Sequence, residues 1–347
     1  MHKQAKQDKI NMKILITGAS GFIGSHIAEE ALSQEWDVWC AVRKTTSRKY
    51  LQDERLNFIE LNLSSREQLI EALSAHDFDV VVHAAGATKC KSKQDFFRVN
   101  TDGTKNLTEA VAATQHVKRF VFVSSLSVFG AIREEQPYQE IKLTDTPQPN
   151  TAYGESKLKA EAIVKGSGLP YVILRPTGVY GPREKDYFLM VDSIKKHSDF
   201  AVGYKPQDIT FVYVTDVVQA VMKAISQPEE KVVGKAFFLA DGDVYSSVTF
   251  SDLIIDELER VEGKRPFVIR IKAPKWILRV VCAFGEMYIR LSGKLITLNN
   301  DKYNILSQRN WRCDISESRR LLGFEPQVKL AEGVKRSIEW YKANGWI

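Results

Sequence analysis

Residues 13–32, KILITGASGFIGSHIAEEAL, decide the fold. The first half, KILITG, is a short apolar run closed by glycine, which predicts a buried strand. The second half, from Phe22, spaces its apolar residues as a helix does. Between them Gly18, Gly21 and Gly24 give G-x-x-G-x-x-G. Gly18 allows a tight turn, Gly21 lets the backbone approach a pyrophosphate, and Gly24 lets helix pack on strand. The first-turn N–H groups and the helix dipole then face phosphate.

Working outward, strands and helices alternate. DVWCAV ends at Arg43 as a second strand, and LNFIEL is a third. Ser64 with Glu67 resembles a capping box opening SREQLIEAL. DFDVVVHAAG is a fourth strand, TKNLTEAVAAT a helix and RFVFVSS a fifth strand. A long loop, roughly Glu134 to Asn150, precedes a helix that stops at Gly166 and Gly168; YVILRP and KAFFLA supply two more strands. This order predicts an α/β Rossmann fold, a doubly wound parallel sheet with ligands at the carboxyl ends of its strands. The alternation fades after residue 181. We expect a dinucleotide-binding unit at 12–180, with 211–241 returning to it. A smaller, mostly helical substrate lobe follows from 181–210 and 242–347.

Tyr153 and Lys157 stand four apart in TAYGESKLKAE, on one helix face. An unperturbed phenol titrates near ~10, and a nearby ammonium is expected to lower that value. Ser125, at the end of the fifth strand, can hold a substrate oxygen for Tyr153; Ser124 is the lesser candidate. Such a set suits hydride chemistry at a carbonyl or carbinol carbon.

The 347 residues are 44% hydrophobic and 27% charged, with a formal charge of +6, as in globular proteins. No basic block interleaved with aromatics points to nucleic acid. Cys40, Cys90, Cys282 and Cys313 form no C-x-x-C pair and the six histidines no H-x-x-x-H. A reduced cytoplasmic protein without metal is expected. The leader, MHKQAKQDKIN, has no apolar core and is read as no signal peptide.

Six motifs, TGASGFIG, HAAG, VNTDGTKNL, VSSLSVFG, YGESK and LRPTGVYGP, occur in an order that resembles the extended short-chain dehydrogenase/reductases. That family includes sugar-nucleotide epimerases, dihydroflavonol reductases and 3β-hydroxysteroid dehydrogenases. The resemblance implies Ser125, Tyr153 and Lys157 as catalytic residues, with Lys157 also bonding the nicotinamide ribose. It implies a dinucleotide against Gly18, Ser20, Gly21, Phe22, Ile23 and Gly24. Further contacts fall to Asn62 and Leu63, to Ala84, Ala85 and Gly86, and to Asn100, Pro176 and Val179. It also implies a homodimer through the helices near Thr104–Ala113 and Tyr153, with Leu107, Val111, Leu158, Ala162 and Ile163 as its apolar face.

Departures from the family narrow the chemistry. The second strand ends in AVRKTTSRK, without the acid that NAD sites place there; Arg43 instead suits the 2′-phosphate of NADP(H), with NAD(H) the alternative. Asn62 replaces the usual Asp near adenine. Leu126 and Ser127 fill the places of the dehydratases' Asp-Glu pair. Gly178 stands where nucleotide-sugar enzymes carry Asn, and Ile209 and Thr210 where they often carry Arg. Phe129 replaces a frequent Tyr.

The stretch from Trp276 to Leu291 spaces apolar residues helically, interrupted by Arg279, Glu286 and Arg290. It is read as lobe core, as a greasy wall for a small-molecule substrate, or as a surface for peripheral lipid contact. The expected function is NADP(H)-linked oxidoreduction of a hydrophobic ketone or alcohol. A nucleotide-sugar epimerase is the alternative. A non-catalytic dinucleotide sensor is disfavoured because Tyr153 and Lys157 are both present.

Overall fold

A computed structural model describes residues 12–292 and 299–347; the leader at 1–11 lies outside them. The first βαβ unit is β1 (Lys13–Thr17), α1 (Phe22–Ser33) and β2 (Asp37–Val42). β3 (Asn57–Glu60), α2 (Arg66–Ser74) and β4 (Val80–His83) follow. A short α3 (Lys93–Phe96) and a π-helical turn (Phe97–Asp102) lead into α4 (Gly103–Thr114) and β5 (Arg119–Val123). After the long loop come α5 (Ala152–Gly166) and β6 (Tyr171–Pro176). The remaining chain runs β7 (Gly178–Tyr180), α6 (Phe188–Lys195), β8 (Ser198–Val202), β9 (Phe211–Tyr213), α7 (Val214–Ser226), α8 (Glu229–Val232) and β10 (Lys235–Leu239). It ends with α9 (Ser247–Glu262), β11 (Ile269–Ala273), α10 (Lys275–Ser292), α11 (Asn300–Ser307) and α12 (Leu330–Ala343).

Seven parallel strands form the main sheet in the order β10-β6-β5-β4-β1-β2-β3. Its strands are near-continuous apolar runs because both faces are covered. The period of two divides them: Ile14 and Ile16 of β1 enter the core under α1 and α7, whereas Leu15 enters the core under α2, α4 and α5. The strand order reverses between β4 and β2 around β1, so the binding crevice lies at the carboxyl ends of β1 and β4.

From residue 178 onward the structure adds strands that the sequence pattern does not reveal. β7 pairs with β9, and β8 with β11, each as a two-stranded parallel sheet. Three or five residues are too few to establish a period. One cap also differs. The Ser65 hydroxyl, not that of Ser64, accepts the N–H of Gln68 and opens α2. The preceding Asx turn, in which Asn62 Oδ1 accepts the N–H of Ser64, shifts the helix start by one residue.

Candidate active site

The Gly-rich turn is shaped by close approach. Gly18 adopts φ 72°, and a Cβ there would lie 2.6 Å from Ala85 N and 2.8 Å from Ala84 O. A Cβ on Gly24 would sit 2.1 Å from Gly18 O. Gly21 is exposed, and its added Cβ would meet only Gly18 O, at 3.1 Å. Among the described residues no side chain caps α1 and no acid stands in its first turn. Its first N–H groups are therefore left for an anion. Ser20, Phe22 and Ile23 surround this end of α1, each partly exposed. The turn fits a dinucleotide's pyrophosphate.

At the end of β2, Arg43 is exposed; its backbone N–H donates to Thr46 Oγ1 at 3.0 Å. In the same turn the Arg48 guanidinium lies 4.0 Å over the Phe58 ring. The Asn62 amide is taken up by its own turn and by Gln68, at 3.2 Å. Leu63 packs on the core, and its carbonyl accepts from Asn106 at 2.9 Å.

The loop after β4 is tied down by a buried polar chain. Thr104 Oγ1 donates to Asn100 O at 2.6 Å, so it accepts from His83 Nε2–H at 2.9 Å. His83 Nδ1 then accepts from Thr17 Oγ1 at 2.7 Å. Burial, aided by the Lys157 charge, pushes the His83 pKa down to about 3, so the ring stays neutral. Asn100, in the π-helical turn, clamps Ala87 through N–H···Oδ1 (2.7 Å) and Nδ2–H···O (3.0 Å), and donates to Ser156 Oγ at 2.9 Å. A Cβ on Gly86 would meet Asn100 Oδ1 at 3.3 Å and Lys157 Nζ at 3.8 Å. Gly86 therefore opens toward Lys157 of α5.

Ser125, Tyr153 and Lys157 converge where β5 and α5 meet. Thr151 caps α5, its hydroxyl accepting from Gly154 N at 2.9 Å. The Ser125 hydroxyl stands near enough to the Tyr153 phenol to favour its ionised form. Ser125 Oγ also accepts from Ser127 N at 3.1 Å. Lys157 Nζ donates to Val123 O at 2.7 Å and lies 4.0 Å over the Phe122 ring. Burial lowers its pKa to about 7, against an opposing pull from Glu161. The expectation that Lys157 lowers the phenol's pKa is corrected here. Burial raises the Tyr153 pKa, and the opposing influence is Ser125, because Lys157 is turned onto the Val123 carbonyl. A neutral phenol is a proton donor, as carbonyl reduction requires.

Ser124 faces away from this cluster. Its hydroxyl donates to Glu161 Oε1 at 2.7 Å, and Arg175 grips the same buried carboxylate at 2.9 and 2.6 Å. Pro176 closes β6 directly after Arg175, and Val179 lies half-buried in β7. Gly178 is filled from outside: a Cβ there would stand 2.3 Å from the Tyr187 hydroxyl oxygen. Ile209 exchanges backbone hydrogen bonds with Tyr245, and Thr210 Oγ1 donates to Trp311 O at 2.6 Å. Leu126 and Phe129 are buried.

Two contributors were not anticipated. The Asp301 carboxylate of α11 accepts the N–H groups of Ala152 and Tyr153. The Glu161–Arg175 pair underlies α5, and an arginine inside the apolar run YVILRP was the signal for it. The dimer face also needs correction. Leu107 and Val111 are buried in the monomer's own core, under α2, and of the five expected residues Ala162 alone is exposed.

A model of the NAD-dependent epimerase/dehydratase family matches residues 14–240. The chain belongs to this family. UDP-glucose 4-epimerase of Vibrio cholerae is 28% identical and aligns with 95% of this chain and 96% of its own length. 3beta-hydroxysteroid-dehydrogenase/decarboxylase isoform 1 of Arabidopsis thaliana is 26% identical over 94% of this chain and 78% of its own. MoeE5, solved in complex with UDP-glucuronic acid and NAD, shares the fold at a TM-score of 0.73 and 24% identity, covering 96% and 99% of the two chains. Among the described residues no side-chain cluster could hold a metal ion, and no helix is long and apolar enough to cross a membrane.

Proposed function

We propose that this family member is an NADP(H)-linked oxidoreductase that interconverts a hydrophobic ketone and its alcohol. The observation that carries the substrate side is Gly178. The position that holds an amide in nucleotide-sugar enzymes is here occupied by the Tyr187 hydroxyl, 2.3 Å from where a Cβ would be. Ile209 and Thr210 are spent on structural hydrogen bonds. The cofactor side rests on Arg43, exposed at the end of β2, whose closing residues carry no acid.

In this proposal residues 12–180 with 211–241 hold the dinucleotide, and 181–210 with 242–347 hold the substrate. The first turn of α1 binds the pyrophosphate. Arg43 meets the 2′-phosphate, and Lys157 reaches the nicotinamide ribose. The cofactor, when bound, exchanges hydride with the substrate carbon. Ser125 orients the substrate oxygen by hydrogen bonding. Tyr153 donates its phenolic proton to that oxygen during reduction and takes it back during oxidation. Asn100 keeps the Ala87 loop and α5 in fixed relation. A homodimer would use the exposed Ala162 and neighbouring Ile163 of α5.

A nucleotide-sugar epimerase is the second reading, favoured by the full-length similarity to the Vibrio cholerae enzyme. A panel of sterol-like, lipid-like and aromatic carbonyls with NADPH, run beside UDP-glucose and UDP-glucuronic acid, separates the two. Saturable NADPH oxidation with an apolar carbonyl is expected. Turnover confined to the nucleotide sugars would replace the proposal with the epimerase.

A further inference from the structure

Helix α10 exposes more apolar surface than its own packing uses. Its buried stripe is Leu278, Cys282, Gly285 and Ile289. Trp276, Val280, Phe284, Met287 and Leu291 lie on another face, with exposures from 46% at Val280 to 81% at Leu291. Ile277, Val281 and Tyr288 widen this second stripe to about 140° at ~100° per residue.

The strand before the helix repeats the theme. In β11, Ile269 and Ile271 are 54% and 42% exposed, and Phe200, the register partner of Ile271, is 62% exposed. The intervening Arg270 turns to buried Asp199, Nε to Oδ2 2.7 Å, and to Asp252. The Arg270 charge is thus paired toward the protein, while Phe200, Ile269 and Ile271 are open to solvent. A sheet face meant for water alternates the other way. Pro274 alone separates β11 from α10.

Charge selects the occupant. Residues 263–285 contain six basic residues and no Asp or Glu. Arg265 and Arg270 are matched by carboxylates. Lys264, Lys272 and Arg279 form no ion pair among the described residues. A second copy placed on this face by two-fold symmetry would bring the same positive charge against it. An anionic lipid surface matches both the wide apolar stripe and the unpaired cations.

We propose that α10 and the outer face of β8 and β11 dock on an anionic phospholipid surface. The helix lies in the headgroup boundary and does not span the bilayer, in keeping with its length and charges. α10 packs on α11, whose Asp301 caps the catalytic helix, so the docked face lies one helix away from Tyr153. The docking holds whichever substrate the active site takes.

Flotation of the full chain with vesicles tests this, using phosphatidylcholine alone and phosphatidylcholine with phosphatidylserine at roughly 70:30. The wild type should float with the anionic vesicles, and ~0.5 M salt should weaken its binding. F284E with L291E should lower the partition coefficient by about tenfold or more. K272E with R279E should do the same on the anionic vesicles. All four side chains are exposed, so the melting temperature should hold. Absence of flotation, or undiminished binding by both double variants, would overturn the proposal. So would an oligomer that F284E disperses while vesicle binding is unchanged, which would assign the face to a second copy.

Discussion

Asp301 accepts the backbone N–H of Tyr153 at 3.2 Å and that of Ala152 at 3.1 Å, placing a carboxylate from α11 at the N-terminus of α5. Two otherwise open donors are satisfied there, and the negative charge opposes the helix dipole's positive end. The C-terminal segment thereby fixes the first turn of α5, which carries the candidate proton donor.

Asp301→Ala should cost about 0.5–2 kcal/mol, as loss of an N-cap does. Turnover should fall more than dinucleotide affinity, because the displaced group is Tyr153 and not the Gly-rich turn. Thermal unfolding with cofactor titration and steady-state kinetics would check both parts. Asp301→Asn should retain part of the effect through its side-chain oxygen.

Lys157 gives the cofactor-free protein a pH signature. Its pKa falls from 10.5 to about 7 through burial. Between those values the unfolded chain binds the proton that the folded chain has released, so stability from this group rises with pH. Below about 7 both states are protonated and the penalty of the buried ammonium is fully present. Lys157→Met should flatten the rise and stabilise the apo protein most at low pH. Denaturant midpoints across this range, compared for the two proteins, measure it.

Arg43→Ala should weaken NADPH binding far more than NADH binding. A hydrogen bond to a charged group contributes about 1.5–3 kcal/mol, so the NADPH dissociation constant should rise by one to two orders of magnitude. Titration of both dinucleotides into both proteins gives the comparison; an equal loss for the two would count against the 2′-phosphate contact.

The Gly178–Tyr187 relationship predicts a rescue. Gly178→Asn should destabilise the protein, since its Cβ would stand 2.3 Å from the Tyr187 hydroxyl oxygen. Tyr187→Phe removes that oxygen, so the double variant should recover much of the loss. Overpacking costs of about 1–3 kcal/mol are typical, within reach of chemical denaturation. A double variant no more stable than Gly178→Asn would mean that the contact is not what excludes a side chain.

The main sheet and the cofactor turn are legible in the sequence because local constraints write them. Gly18 must take positive φ beside Ala84 and Ala85, and buried parallel strands must be apolar on both faces. Tyr153 and Lys157 share a face through helical periodicity alone. Asp301 was not legible because it meets Tyr153 across 148 positions and belongs to an unremarkable helix. The sign of the Tyr153 shift also escaped the sequence. Spacing places Lys157 nearby, but only the fold turns its Nζ onto the Val123 carbonyl. Leu107 and Val111 were misjudged as dimer face because α4 is apolar toward α2, inside the monomer.

The central claim is that Tyr153 exchanges the proton, and one measurement tests it directly. Turnover of NADPH with an apolar ketone should be compared in the wild type and Tyr153→Phe, with dinucleotide affinity measured in parallel. Loss of the phenolic proton should reduce kcat by ~10²–10⁴-fold while NADPH still binds nearly as tightly. Undiminished kcat in Tyr153→Phe on a substrate that the wild type turns over would contradict the account.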